Sequence, residues 1–564
     1  MTPTEPIRSL AEASRFRNLA DAEWAWRLRE FPRLATQAGV HEHDHRLERM
    51  DNASRAARLA HVRETLVALD SIDIGALDAG DRVNHAVLAH QLQLQRDEAE
   101  FGGELMPIEG DQAFYSYLPE MWREQPLDSA QAVERHIGRL AAIPQYFADH
   151  IELLETALAT GYMPPAVVLQ GRESPLVAVA QAQHAEETPF YRVLASQWSR
   201  WPELAPRAAR VIEGEVLPAY RQLLQFLRER YLPRGRSGTA ARELPQGEAF
   251  YAARLRGFTT LTLTAREIHE LGQAEVQRIG AEMRRLQAAC GHHSAFADFV
   301  ARLRRDPQHY PKSGEELLAQ ASWIAKRVDA ELPRFFGHLP RQPFGVQPVP
   351  DEMAPFYTSG RYVPAPVGGT QCALYWVNTH RLESRALYSL PALTLHEAVP
   401  GHHLQFALTA EDTSLAPYRR WDSTLSAHTE GWALYAEYLG TEMGIYRTPL
   451  EEFGRASYEM WRACRLVVDT GVHLFGWSRE RAQATLREHT ALSEHEIATE
   501  VDRYIGWPGQ ALSYKMGEMR MRALRTRLES TEGTAFNLRR FHDRLLALGP
   551  MPLPAMEQEL AASG

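Results

Sequence analysis

At 564 residues the chain exceeds the usual size of one compact core, which predicts two or three subdomains, and its 45% hydrophobic and 24% charged content is that of an ordinary water-soluble protein. A formal net charge of -10, with no Lys/Arg-rich block, argues against nucleic acid as a partner. The three cysteines, Cys290, Cys372 and Cys464, lie far apart with no CxxC pair, which excludes a disulfide framework or a thiolate zinc cluster and suits a reducing compartment.

The chain opens with MTPTEPIRSLAEASRFRNLA, which carries acidic residues and no apolar core, and no 18-residue apolar run follows anywhere. A cytoplasmic protein with no membrane partner is therefore expected. From residue 10 to about 230 long segments rich in Ala, Leu, Arg and Glu repeat apolar residues every three or four positions. In IGRLAAIPQYFADHIELLETALATG (137–161), Ile137, Leu140, Ile143, Phe147, Ile151, Leu154 and Leu158 form one stripe ended by Gly161, which reads as helix packing in a scaffold. Residues 231–247, YLPRGRSGTAARELPQG, concentrate Pro, Gly, Ser and Arg and read as a linker or exposed loop. Beyond it, Thr264-x-x-Glu267 and Ser313-x-x-Glu316 are capping boxes that open helices near 265–289 and 314–332.

The texture changes at 343–379, where Pro and Gly punctuate the chain and Cys372–Thr379, CALYWVNT, reads as a strand by its aromatic and β-branched content. Such a strand can close the core as a small hairpin or offer an exposed edge to an extended peptide. Next comes LTLHEAVPGHHLQ, which puts His396, Glu397, His402 and His403 within eight residues of one another. Neutral imidazoles are good zinc ligands, and a Glu beside the first can take a proton from a metal-activated water. In an unbroken helix His402 would lie about 120° round from His396, and His403 nearly in line but about 10 Å further along. Pro400 removes a helical hydrogen bond and Gly401 frees the backbone, so the pair acts as a two-residue insertion that returns His402 to the place of an i+4 ligand, with His403 the runner-up.

Downstream, EGWALYAE supplies a carboxylate to complete a three-ligand site with one open position. The segment from Glu430 to Gly444 reads as amphipathic, anchored by Trp432, Leu434, Tyr435, Tyr438 and Leu439. Glu430 and Glu437 are seven apart on one face, so one can reach the metal while the other holds a ligand His in its tautomer. RASYEMWRACRLVVDTGVH (455–473) then puts Arg462, Arg465 and Asp469 on one helix face. An Arg465–Asp469 ion pair is the plain expectation, and Asp469 is also a candidate to support the ligands; the alternative is a guanidinium left to bind a substrate carboxylate. His473 is either a group that supports the ligands, a donor to a reaction intermediate, or structural. Finally RYIGWPGQALSYKMG offers Arg503, Tyr504, Gln510, Tyr514 and Lys515 around a Pro508–Gly509 turn, with Arg503 and Gln510 as further substrate contacts.

HEAVPGHHLQ, EGWALYAE and RYIGWPGQALSYKMG together resemble bacterial domain-of-unknown-function family 885, whose members are regarded as zinc-dependent peptidases related to helical, channel-shaped oligopeptidases and carboxypeptidases. That family's HExxPGH metal helix implies His402 rather than His403 as the second ligand, Glu430 as the third and Glu397 as the general base. Tyrosines in helical zinc peptidases steady the oxyanion, which implies Tyr514 for that role, with Tyr504 second. The expectation is a mostly α, two-lobed, zincin-like fold with a small β element beside the metal helix and a central channel. Residues 1–240 would form a helical scaffold lobe, 241–342 a connecting region, and 343–564 the catalytic region, with its β element at 343–380 and metal helices at 390–517. One zinc ion per chain would serve hydrolysis of short peptides, trimmed from the C-terminus. Rival expectations are a zinc-dependent hydrolase of a small non-peptide amide and a non-catalytic helical binding protein.

Overall fold

A computed structural model describes residues 5–109, 112–351, 353–367, 371–421 and 424–562. The chain is mostly helical with a small three-stranded mixed sheet, in line with the long apolar periodicities and the single aromatic, β-branched run. It divides into two compact units, one of Met1–Gly238, Glu243–Phe250 and Pro366–Gln371, the other of Thr239–Arg242, Tyr251–Ala365 and Cys372–Gly564.

The first unit is built from helices that include Glu5–Glu30, Asn52–Asp70, Ala79–Glu100, Ala130–Ala141 and Ile143–Thr160. The stripe expected to run unbroken through 137–158 is divided between the last two. Pro144, with no amide hydrogen to give, sits in the first turn of the second helix. Ile137, Leu140, Ile143, Phe147 and Leu154 are buried, but Ile151 and Leu158 are only half-buried, and Leu153 and Ala157 take their place in the core. Gly161 ends the run at φ +83°, a left-handed conformation that glycine adopts without strain.

In the second unit we label α1 (Ala265–Ala289), α2 (Gly314–Phe335), β1 (Phe344–Pro348), β2 (Gly360–Val363), β3 (Ala373–Val377), α3 (Leu390–Glu397), α4 (His402–Glu411), α5 (Ser426–Glu442), α6 (Pro449–His473), α7 (Glu494–Gly506) and α8 (Ser513–Glu532). Thr264 and Glu267 cap α1 reciprocally, as the sequence pattern requires. At α2 only half of the box forms. Ser313 accepts from the Glu316 amide, while the Glu316 carboxylate turns to the Lys312 amide. β3, the aromatic strand, pairs in parallel with β1 and antiparallel with β2, in the order β1-β3-β2. It is therefore the central strand, and the edge facing α3 belongs to β2 instead.

α6 is the core of this unit and is buried at every position from Phe453 to His473. It meets α1 where a Cβ on Gly272 would lie 2.7 Å from the Leu466 side chain. α5 is buried on all sides rather than amphipathic, with Trp432, Leu434, Tyr435 and Leu439 enclosed and Tyr438 half-buried. α5 and α8 touch backbone to backbone. A Cβ on Gly431 would lie 2.5 Å from the Gly517 Cα, and one on Gly517 would lie 1.9 Å from the Ala427 carbonyl oxygen. Lys515, 1% exposed, fastens α8 to α6 through Glu459 (2.8 Å) and to α1 through Glu275 (3.0 Å), and pairs within α8 with Glu518 (2.8 Å). Those carboxylates keep the ammonium charged although burial alone would lower its pKa.

The expected Arg465–Asp469 pair does not form. Asp469 accepts instead from the Tyr251 hydroxyl (2.6 Å) and the Gly509 amide (3.0 Å), and so pins the Pro508–Gly509 turn from which α8 starts. Burial pushes its carboxyl up to about 7 against the lowering effect of those two hydrogen bonds and of Arg254.

Two predictions follow from this packing. Gly517→Ala should destabilise by about 1–3 kcal/mol through overpacking. Gly280→Ala, where the nearest atom to the new Cβ is 3.5 Å away inside α1, should stabilise by about 1 kcal/mol; urea unfolding of both variants measures the contrast. Because Asp469 binds its proton more tightly folded than unfolded, wild-type stability loses this group's contribution as pH rises from about 4 to about 7. Asp469→Asn should accordingly gain on the wild type through that window and level off above it, as read from unfolding midpoints at several pH values; parallel curves would contradict the assignment.

Candidate metal centre

α3 ends at Glu397 and α4 begins at His402, so the HEAVPGH segment is two helices joined by a turn rather than one bent helix. Two contacts hold that turn. The Pro400 carbonyl accepts from the Trp432 indole of α5 at 2.8 Å. Gly401 lies so close to the end of α3 that a Cβ there would fall 1.9 Å from the His396 carbonyl oxygen, so no larger residue fits. The PG and GW of the two motifs are thus halves of one contact, and it returns His402 to the side of His396. Their rings stand 4.8 Å apart and nearly perpendicular.

Glu430 of α5 completes the group. Its Oε2 lies 3.4 Å from Nε2 of His396 and 3.4 Å from Nε2 of His402, and the three donor atoms all lie within 4.8 Å of one another. That oxygen is buried and has no hydrogen-bond partner. Tetrahedral ligands at ~2.1 Å from zinc sit about 3.4 Å apart, which both Glu430–imidazole separations match. The electrostatics agree. Burial alone would lower the His396 pKa, yet the Glu430 and Glu437 carboxylates beside the ring push it up to about 10, and the two histidines hold the Glu430 carboxyl well below its usual range. The carboxylates beside the two imidazoles thus favour positive charge at this place.

Glu437, two turns along α5, accepts from Nδ1 of His396 at 2.8 Å, which leaves Nε2 of that ring to face Glu430. The same Glu437 oxygen lies 3.3 Å from Nη2 of Arg462, so a guanidinium, a carboxylate and an imidazole run in series to the site. His403, the runner-up ligand, turns away. Its Nε2 donates to the Gln342 carbonyl at 3.0 Å, and its ring packs on Phe344 and Tyr362.

Glu397 accepts from the Tyr362 amide of β2 at 2.8 Å, a contact between the metal helix and the sheet edge that nothing in either segment's sequence signals. Tyr514 of α8 lies parallel to the His396 ring, with centroids 6.3 Å apart, and its hydroxyl accepts from Arg503 at 3.3 Å, which leaves the phenolic proton to donate elsewhere. Tyr504, the second choice for an oxyanion donor, is enclosed. Its hydroxyl accepts from the Trp461 indole (2.7 Å) and from Nε of Arg465 (3.1 Å). His473 is equally committed: Nδ1 accepts from the Ala241 amide and Nε2 donates to the Tyr504 carbonyl, so no ring nitrogen is left for a substrate. Asp469, expected to support the ligands, holds the turn at Gly509 instead. Gln510 accepts from Arg503 at 2.6 Å, and Arg465 pairs with Glu500 at 3.0 Å.

No curated protein matches this chain. Two solved structures are similar over nearly its whole length. A Colwellia psychrerythraea protein described as a "putative lipoprotein" is 26% identical, with 99% of each chain covered and a TM-score of 0.88. A Shewanella oneidensis "putative lipoprotein of unknown function" is 18% identical, with 97% of this chain and 99% of that one covered and a TM-score of 0.66, and shares the fold. These descriptions overturn the cytoplasmic expectation, since they point to a membrane-anchored or secreted setting. Among the described residues no helix is long and apolar enough to cross a membrane, and a lipid anchor requires none. A family profile described as "Bacterial protein of unknown function (DUF885)" matches residues 32–560, and with nearly the whole sequence inside that match the chain belongs to this family.

Proposed function

We propose that the protein is a zinc metallopeptidase of short peptides that works outside the cytoplasm, with His396, His402 and Glu430 as the metal ligands. The observation that carries this reading is the convergence of three buried donor atoms at ligand spacing, with Glu437 fixing one imidazole from behind. Two nitrogens and one carboxylate oxygen favour zinc over calcium or magnesium and leave a fourth position open. Zinc held by these three residues would supply Lewis-acid activation of a carbonyl and of the attacking water.

The chain's own groups do the remainder. Glu397, oriented by the Tyr362 amide, takes the proton of the attacking water and returns it to the leaving amine. The Tyr514 hydroxyl, already accepting from Arg503, directs its proton to the developing oxyanion. β2 is an edge strand beside α3, and an extended peptide laid along it pairs with the outward backbone groups other than the Tyr362 amide, which Glu397 takes; the choice of a peptide over another amide rests on this edge.

The wild-type protein should bind one zinc ion, show a raised unfolding midpoint with the metal, and lose both the rise and peptide hydrolysis after chelation. His402→Ala should abolish metal binding. Glu397→Gln should keep one metal per chain while hydrolysis falls by at least about 10²-fold, read by metal analysis and peptide turnover. Retained turnover in Glu397→Gln, or a metal-free wild type indifferent to zinc, would overturn the assignment. Faster hydrolysis of N-acyl amino acids than of a dipeptide and tripeptide panel would replace peptides with small amides as the substrate.

A further inference from the structure

From His402 to Thr409, α4 is buried at every position except Phe406, which is half-buried. The Phe406 ring stands one turn beyond His402 and packs on its imidazole, with centroids 5.6 Å apart. It also lies parallel to the Tyr362 ring of β2, at 5.8 Å and an interplanar angle of 6°. Phe406 therefore bridges His402 and the strand edge beside α3.

Exposure around the three donor atoms is one-sided. The His396 side chain is 3% exposed, whereas those of His402 and Glu430 are 10% and 20% exposed. Solvent thus reaches the donors from the flank on which Phe406 sits, and not from behind His396, which Glu437 and the Tyr514 ring cover.

Tyr362 fixes the place of the aromatic pair along a peptide paired with β2. Its amide donates to Glu397 at 2.8 Å, so the residue that carries one of the two rings also orients the group that acts on the cleaved bond. Side chains alternate between the faces of a sheet, so of the two residues flanking that bond one turns toward Tyr362 and Phe406 and the other turns away. Stacked aromatic rings offer apolar area and no charge, and they favour an apolar side chain over an acidic or basic one that would have to shed its water.

We infer that Phe406 and Tyr362 form an apolar wall that receives one side chain of the substrate, so that the enzyme prefers peptides with an aromatic or large aliphatic residue on one side of the cleaved bond. The inference rests on the metallopeptidase reading and adds to it the class of side chain that is recognised.

The test uses the zinc-loaded full chain and an alanine-based hexapeptide, alone and with Phe, Leu, Lys or Glu placed at one position at a time, the cleaved bond being identified from the masses of the products. The cut should follow Phe or Leu along the peptide and always fall on the same side of it, with kcat/KM for that bond roughly 10- to 100-fold above the all-alanine value. Cuts on both sides of Phe, cuts indifferent to its position, or an equal response to Glu or Lys overturn the wall. Phe406→Ala should reduce the gain to within about threefold, while Phe406→Leu, which keeps apolar surface against His402, should retain most of it. A full gain in a zinc-binding Phe406→Ala would also overturn it.

Calorimetry on zinc-loaded Glu397→Gln with the all-alanine and Phe-bearing peptides keeps the two proposals separate, since binding reads the preference even where no peptide is cleaved. Equal affinity for both peptides, or no binding of either, overturns the wall. Tighter binding of the Phe-bearing peptide without turnover in the wild type overturns the peptidase reading and leaves the wall standing.

Discussion

The hydrogen bond from His396 to Glu437 is the constraint on which the rest of the site depends. It joins the His396 imidazole to a carboxylate almost wholly removed from solvent, and that carboxylate is balanced in turn by Arg462 from the most enclosed helix of the unit. A charge buried this deeply is tolerable only inside a chain of partners, so neither the acid nor the guanidinium can be withdrawn without stranding the other. The geometry of the donor atoms follows from that chain, because it settles which nitrogen of His396 faces Glu430.

Around this contact the fold uses close approach more than bulk. Gly401 under the end of α3, Gly431 against Gly517, and Gly272 against α6 each lie where a methyl group would meet backbone or a packed side chain. The apolar core positions the helices broadly, and these contacts set their separations to fractions of an ångström. The buried lysine that ties α8 to α6 and α1 does the same for Tyr514, its neighbour in sequence.

Much of this was legible from local pattern. HEAVPGHHLQ and EGWALYAE announced a pair of imidazoles and a carboxylate, the Pro-Gly break accounted for the unusual spacing, and the caps at Thr264 and Ser313 placed two long helices. What stayed hidden depends on pairing between residues far apart in the chain. Asp469 sits one turn from Arg465, yet each found a stronger partner, Gly509 and Glu500, on elements that no periodicity connects to α6. The rank of a strand is hidden for the same reason. CALYWVNT reads as a strand on its own, but its central place follows from FGVQP and GRYV, short runs that carry little strand signal alone. The start of the chain, read as cytoplasmic for want of a secretory pattern, could not report the setting that the similar lipoproteins supply.

The meeting of Gly431 with Gly517 has a mechanical meaning. Where two helices touch through bare backbone no side chain lies between them to act as a roller, and neither can slide or rotate without collision. Glu430 and Tyr514, one and three residues from that point, therefore travel as a single rigid unit with a fixed spacing. Any closing motion over a substrate has to bend elsewhere in the chain.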